Sequence, residues 1–152
     1  MNNKYDVFIS YRRDGGFEMA LHLSHVLRER GYHVFFDIEE LRSGPFNMKL
    51  YDVIAGCKDF VVILSPGSLE RCQNEDDWFR LEIACALKHN VNIIPFATRN
   101  FSFGDATKLP DEVAELQYLH GVTASHHYAD AAIKKLTTFM RSRPSLRFLQ
   151  RL

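Results

Sequence analysis

An indole and a carboxylate stand four residues apart in this sequence, at Trp78 and Glu82. On a helix, residues at that spacing lie on the same face. A carboxylate beside an aromatic side chain could bind the hydroxyl groups of a ribose and stabilise positive charge that develops on the sugar. The pair follows an apolar run at residues 60–64, which is typical of a buried strand. Since α/β sheets bind ligands at the carboxyl ends of their strands, this helix start is a candidate site.

Both residues also have an ordinary structural interpretation. Trp78 could simply pack its helix against the core. Glu82 could be a solvated residue whose negative charge suits the positive end of a helix. Which interpretation applies depends on the strands and helices around the pair.

Strand patterns and helix patterns alternate along the chain. The predicted strands are 5–10, 33–37, 60–64 and 91–96, and the predicted helices are 17–30, 48–55, 78–89 and 127–140. Residues 14–16 carry a turn signal, 110–116 are predicted to form one or two helical turns, and Tyr118-Leu119 a short edge strand. The last helix is predicted to turn four side chains toward the core: Tyr128, Ala132, Leu136 and Phe139. This alternation predicts an α/β fold, with a parallel sheet of about five strands and helices on both faces.

Composition narrows the function classes. The length of 152 residues suits one domain. Lys plus Arg equals Asp plus Glu at 19 each, so the chain has no net positive charge that would indicate binding to nucleic acid or to an anionic membrane. No apolar run approaches the roughly 20 residues of a spanning helix, and the first residues lack a signal-peptide pattern. The three cysteines have no paired spacing, which is typical of a reduced, cytoplasmic protein. We predict that each cysteine is a small buried hydrophobic residue or an unreactive thiol.

Motifs of several common α/β functions are missing from the sequence. It has no glycine fingerprint of the Rossmann or P-loop kind, and Ser65 lies in Leu-Ser-Pro-Gly rather than in a nucleophile elbow. It also has no Cys or His spacing typical of a metal site, so we predict no metal and no cofactor.

Three segments are expected to meet at the carboxyl edge of the sheet. They are residues 11–13, residues 37–47 and the helix start at 78–82. Arg12 and Arg13 supply guanidinium groups suited to phosphates. Phe46 and Trp78 supply flat faces for a base, and Glu82 could bond both ribose hydroxyls. The set would serve a dinucleotide, although the arginines could equally be surface charges and Phe46 a packed loop residue.

Several stretches resemble the characteristic motifs of TIR (Toll/interleukin-1 receptor) domains. They are residues 5–13, 34–46 and 60–69, the Trp-x-x-x-Glu pattern at 78–82, and residues 92–95. The resemblance spans residues 5–140. It is closest to the NAD-consuming branch, which includes an animal axon-degeneration NAD hydrolase and bacterial antiphage TIR proteins. Adaptor-type TIR domains generally lack the Trp-x-x-x-Glu pattern in this form.

The resemblance implies a flavodoxin-like, doubly wound sheet over residues 1–141, with 142–152 as a basic tail or the start of a linker. It implies that Glu82 is the catalytic residue. It also implies a set of substrate-binding residues: Trp78, Phe46, Arg13, Tyr11, Asp37 and Ser10.

The activity that the resemblance implies is an NAD⁺ glycohydrolase in immune or cell-death signalling. It would release nicotinamide and leave ADP-ribose or cyclic ADP-ribose, with NAD⁺ as substrate rather than cofactor. Its implied partners are other TIR domains, contacted partly through the loop at 38–47, and a sensor or oligomerising module beyond the carboxyl terminus. Neither nucleic acid nor membrane is expected. Two other interpretations stay open: a non-catalytic scaffold that recruits TIR domains, and a domain that binds NAD⁺ without cleaving it.

Overall fold

The computed structural model of this chain describes residues 4–36, 48–104, 109–124 and 129–145. Its five strands are all parallel and form one sheet in the order β2-β1-β3-β4-β5. The strands are β1 (Val7–Ser10), β2 (Val34–Phe36), β3 (Asp59–Leu64), β4 (Asn92–Ala97) and β5 (Val122–Thr123). The helices are α1 (Arg13–Glu29), α2 (Met48–Gly56), α3 (Trp78–Lys88) and α4 (Ala129–Phe139), with 3₁₀ turns at Glu70–Gln73 and Ala114–Tyr118. The predicted doubly wound α/β fold is confirmed.

Helices cover both faces of the sheet, which is why its inner strands are continuously apolar rather than alternating. Phe8 and Phe60 pack with the apolar side chains of α2 and α3. Ile9 and Ile63, on the same two strands, pack with α1 and α4 on the opposite face. All four side chains are completely buried. In the part of the chain that the structure describes, no helix is long and apolar enough to cross a membrane.

The predicted turn at residues 14–16 is present as a kink in the first turn of α1. Asp14 and Gly15 have non-helical backbone angles, and the φ of Gly15 is +85°, a value that favours glycine. The regular part of α1 therefore begins just after this kink, and Arg13 lies between the end of β1 and the helix body.

The predicted edge strand at Tyr118-Leu119 is wrong. Tyr118 ends a 3₁₀ turn with its side chain 77% exposed, and the edge strand forms later, as β5. A Cβ on Gly121 would lie 2.4 Å from the carbonyl oxygen of Pro95 in β4. Only glycine allows the chain to approach β4 that closely, so the edge strand begins just after it.

The predicted core face of α4 is partly correct. Ala132 and Leu136 are buried, but Phe139 is 38% exposed, so its assignment to the core is wrong. Ile133 is completely buried and packs on the sheet. Tyr128 lies outside the described residues.

After α4 the chain packs against the amino-terminal edge of the sheet, opposite the predicted site. The buried carboxylate of Asp59 accepts hydrogen bonds from the backbone N–H groups of Arg141 and Ser142 and from Nδ2 of Asn92, each at 2.8 Å. The N–H of Ser145 donates to the carbonyl of Gly31 at 2.9 Å. The first residues of the predicted tail thus contact the domain, and residues 146–152 lie outside the described part.

Candidate active site

The candidate site lies where the chain order in the sheet reverses, between β1 and β3. In open α/β sheets of this strand order, ligands bind in the crevice outside the carboxyl ends of the strands at that point. A cleft of about 390 Å³ opens there, and Tyr11, Arg13 and Trp78 are among the residues that line it. The topology therefore brings together the first and third of the three predicted segments.

Helix α3 begins at the edge of this cleft because Asp77 caps it. The Asp77 carboxylate accepts a hydrogen bond from the N–H of Arg80 at 3.2 Å, which satisfies one of the helix's exposed donors. Trp78 is the first helical residue, and Glu82 follows one turn later. Trp78 both lines the cleft and packs against the core, so its structural interpretation is confirmed and its role in substrate binding stays a prediction.

Glu82 is completely buried, which rules out the interpretation as a solvated helix residue. Its Oε1 accepts a hydrogen bond from Oγ of Ser10 at 2.8 Å, and Ser10 is completely buried as well. Burying a carboxylate costs several kcal/mol unless its neighbours compensate. A carboxylate kept in such a place, at the crevice of the sheet, is a candidate for a functional group.

Arg12 also lines the cleft, but its guanidinium is buried against protein groups. Its Nη1 and Nη2 donate to the two carboxylate oxygens of Asp77 at 2.7 and 2.8 Å, and its Nε donates to the carbonyl of Ser68 at 2.7 Å. Arg12 is only 8% exposed, and its guanidinium lies 4.8 Å from the ring centre of Phe79. The expectation that Arg12 presents a guanidinium to phosphates is therefore wrong for this structure.

The Arg12–Asp77 ion pair shifts the pKa of both partners. Burial disfavours the charged form of each, but their mutual hydrogen bonds and opposite charges outweigh burial. The pKa of Asp77 is consequently lowered and that of Arg12 raised, and both groups stay charged at neutral pH.

Arg13 and Tyr11 have the cleft-lining positions predicted for them. Arg13 is exposed, while Tyr11 is 5% exposed, with its ring stacked on Phe36 at a centroid distance of 5.3 Å. The exposed pair formed by Arg71 and Asp14, at 3.4 Å, lies beside them. Phe46 and Asp37 lie outside the described residues, so their predicted roles stay predictions.

The three cysteines are buried free thiols, which confirms the prediction of small buried hydrophobes. Burial raises the pKa of Cys72 to about 11, although its sulfur lies 3.8 Å from Nη2 of Arg12. Burial, followed by the negative charge of Glu82, raises the pKa of Cys85 to about 12. Neither thiol has the lowered pKa that a nucleophilic cysteine needs.

Asp77 is a residue of the candidate site that the sequence analysis missed. An aspartate directly before a predicted helix start is a local capping signal, so its capping role could have been recognised. Its ion pair with Arg12 joins residues 65 positions apart, and nothing in the local sequence indicates that.

A groove of about 460 Å³ on the outer surface of α3 is larger than the cleft. Tyr51, Leu81, Ala84 and Leu87 form most of its apolar lining. Ser10 and Glu82 line neither the groove nor the cleft, but the cleft is lined by Tyr11, which follows Ser10, and by Trp78, one helical turn before Glu82. We therefore place the candidate site at the smaller cleft, where the buried carboxylate lies behind the lining residues.

The sequence model of the family described as TIR domain matches residues 7–137. This chain belongs to the TIR domain family. Over 149 residues it is 38% identical to "NAD(+) hydrolase sarm1" of Drosophila melanogaster, covering 96% of this chain and 11% of that protein. It is 38% identical over 143 residues to "NAD(+) hydrolase SARM1" of Danio rerio, covering 92% of this chain and 20% of that protein. It is 36% identical over 144 residues to "NAD(+) hydrolase tir-1" of Caenorhabditis elegans, covering 92% and 15%. The TIR domain therefore spans one fifth or less of each of these relatives.

Solved structures show the same fold at low sequence identity. The TIR domains of the activated Roq1 resistosome, which recognises the pathogen effector XopQ, are 18% identical with a TM-score of 0.67, and the match covers 88% of this chain and 98% of that one. A TIR-STING receptor from C. gigas, in complex with 2',3'-cGAMP, is 22% identical with a TM-score of 0.55, covering 93% and 40%. These matches agree with the TIR fold of the chain.

Proposed function

We propose that this TIR domain cleaves the nicotinamide–ribose bond of NAD⁺, releasing nicotinamide together with ADP-ribose or a cyclic ADP-ribose. The observation that carries the proposal is the buried carboxylate of Glu82, held by Ser10 at the crevice of the sheet. The names of the relatives at 36–38% identity, all NAD(+) hydrolases, support the same reaction.

The reaction is compatible with a single carboxylate. When the bond between the ribose C1' and the nicotinamide nitrogen breaks, its electron pair stays on nitrogen, and the cationic ring leaves as neutral nicotinamide. No general acid has to protonate the leaving group, unlike in ordinary glycoside hydrolysis. Positive charge is left on the ribose, where a carboxylate stabilises it. Water then adds to C1' and loses a proton, or an internal nucleophile of the same molecule closes a ring.

Each cleft residue has a proposed part in this chemistry. Glu82 binds the ribose hydroxyls and stabilises the developing cation, while Ser10 orients that carboxylate. Trp78 stacks on a ring of the substrate and excludes water. Arg13, exposed beside the cleft, is suited to the diphosphate, and Tyr11 forms part of the wall. The proposal includes Phe46 and Asp37 as further substrate contacts and requires no metal and no cofactor.

The complete burial of Glu82 has a consequence for regulation. A carboxylate that solvent does not reach cannot contact a ribose until neighbouring groups move. We infer that this structure represents a resting form, and that self-association of TIR domains, partly through residues 38–47, supplies the rearrangement. Such an enzyme would be nearly silent as a monomer, which suits signalling in immunity or cell death. A sensor or oligomerising module beyond residue 152 would control the assembly, and the free, buried cysteines agree with a cytoplasmic site of action.

The test uses the purified chain at high concentration with a crowding agent, incubated with NAD⁺ beside Glu82→Gln. A matched control is Glu115→Gln, which changes an exposed glutamate away from the cleft. Nicotinamide and ADP-ribose species are separated by chromatography and identified by mass spectrometry. We expect nicotinamide from the parent chain and from Glu115→Gln, and none from Glu82→Gln.

The same experiment separates this function from that of a scaffold. Light scattering monitors assembly in every sample. No nicotinamide from an assembled parent chain would contradict the enzymatic proposal and favour a TIR scaffold that only recruits other TIR domains. Equal turnover by Glu82→Gln would remove Glu82 from its catalytic role.

A further inference from the structure

Two polar links join the end of β1 to the start of α3. Ser10 contacts Glu82, and Arg12 contacts Asp77. Ser10 and Arg12 are two residues apart in extended backbone, a rise of about 6.6 Å, and Arg12 has the extended angles φ −92° and ψ 131°. Asp77 and Glu82 are five residues apart along the helix, a rise of about 7.5 Å. The two links are therefore spaced similarly along the strand and along the helix axis, and the long side chain of Arg12 reaches Asp77 at the N-cap of α3.

We propose that Arg12 is a positioning residue, which holds α3 through Asp77 so that Trp78 and Glu82 stand in register with Ser10. Apolar packing of Phe79 and Ile83 already seats α3 on the sheet, and a single polar link would set the position of its first turns at one point only. Two links at matched spacing fix both its rotation and its axial position. The inference rests on the proposed function for its consequence in catalysis, but its geometric part is independent of it.

The surroundings of Arg12 suit an anchor better than a phosphate ligand. All three guanidinium nitrogens donate to protein groups, two to Asp77 and one to the carbonyl of Ser68. The ring of Phe79, one helical residue beyond Trp78, supports the guanidinium face. Arg12 is already paired with the Asp77 carboxylate, whereas Arg13 is exposed beside the cleft and is the more accessible guanidinium for a phosphate.

The test uses Asp77→Asn, because asparagine still caps a helix well but removes the negative charge that pairs with Arg12. Trp78 is the only tryptophan of the chain, so intrinsic fluorescence reports on the start of α3 alone. We expect Asp77→Asn to stay folded by circular dichroism while its tryptophan emission shifts to the red and acrylamide quenching increases. A matched control is Glu75→Gln, an exposed carboxylate just before α3, whose fluorescence should equal that of the parent.

The second readout is kinetic and uses the full assembled chain with NAD⁺. Since misplacing a catalytic group by about 1 Å can lower the rate by about 100-fold, we expect a kcat loss of that order in Asp77→Asn with KM near the parent value. Arg12→Lys keeps the charge but not the two-point contact, so it should show a smaller change in the same direction in both readouts. It also serves as the second variant if Asp77→Asn does not fold.

Unchanged tryptophan emission and quenching in folded Asp77→Asn and Arg12→Lys would overturn the positioning role. A raised KM with unchanged kcat and unchanged tryptophan fluorescence would overturn it in another way, since Arg12 would then act on substrate directly. If the parent chain releases no nicotinamide at all, the proposed function fails, and the fluorescence comparison still decides whether Arg12 positions α3.

Discussion

Replacing Ser10 by alanine tests the contact on which the candidate site depends. The change removes one hydroxyl from a completely buried position and with it the hydrogen bond to Oε1 of Glu82. The strand itself should tolerate alanine, because Ser10 is the last residue of β1 and its backbone keeps the same pairing with β3. The effect should therefore come from the carboxylate and not from the sheet.

The size of the effect follows from the geometry. At 2.8 Å between two buried oxygens, the bond belongs to the class with a charged partner, which contributes about 1.5–3 kcal/mol. For a domain of this size, 1 kcal/mol corresponds to roughly 2–4 °C in Tm, so the loss should lie between about 3 and 12 °C. Activity should fall as well, since the carboxylate that stabilises the ribose cation is no longer held in one orientation.

The assay is a double-mutant cycle of Ser10→Ala and Glu82→Gln read by urea unfolding, with nicotinamide release measured for Ser10→Ala beside the parent chain. The cycle isolates the coupling between the two side chains whatever else Glu82 contacts. We expect a coupling of about 1 kcal/mol, the difference between a charged and a neutral hydrogen bond. Ser24→Ala is the matched control, because Ser24 is also completely buried but its hydroxyl donates within α1, to the carbonyl of Leu21. A coupling indistinguishable from zero, or equal activity losses in Ser10→Ala and Ser24→Ala, would refute the reasoning.

Three further predictions concern parts of the fold around the site. Asp59→Ala should lower the free energy of unfolding by about 3 kcal/mol or more, because the buried N–H of Ser142 and three further donors lose this acceptor. Urea unfolding measures the loss. The pKa of Asp77 is lowered from 3.8 in the folded chain, so the stabilisation from its charge should be fully present above about pH 4 and lost as the pH falls through the lower, folded value. The stability difference between the parent chain and Asp77→Asn should therefore shrink only in acid. Urea midpoints measured against pH would show this. At pH 8 the native chain should react slowly with iodoacetamide and the urea-unfolded chain quickly, because burial raises the pKa of Cys72 to about 11 and that of Cys85 to about 12. Intact-mass spectrometry counts the adducts. Fast alkylation of the native chain would contradict these pKa values.

Most of the fold could be predicted because its signals are local. The apolar runs of β3 and β4 and the periodic pattern of α3 specify strand and helix within a few residues of their observed bounds. The exceptions depend on distant contacts. The edge strand forms at Val122 rather than at Tyr118 because Gly121 fits against the backbone of Pro95 in β4, a contact that no local pattern reveals.

The sequence by itself determined that Trp78 and Glu82 share one face of a helix, since that depends only on a spacing of four residues. The tertiary structure decided which groups meet Glu82, because Ser10 lies 72 positions away and reaches it only when α3 packs on β1. Arg12 and Arg13 show the same division most clearly. As neighbours of identical type they cannot be told apart by sequence, yet one is buried against Asp77 and the other is exposed beside the cleft. Successive residues of extended chain point in opposite directions, so only the packing of α3 against one side separates an anchor from a candidate ligand.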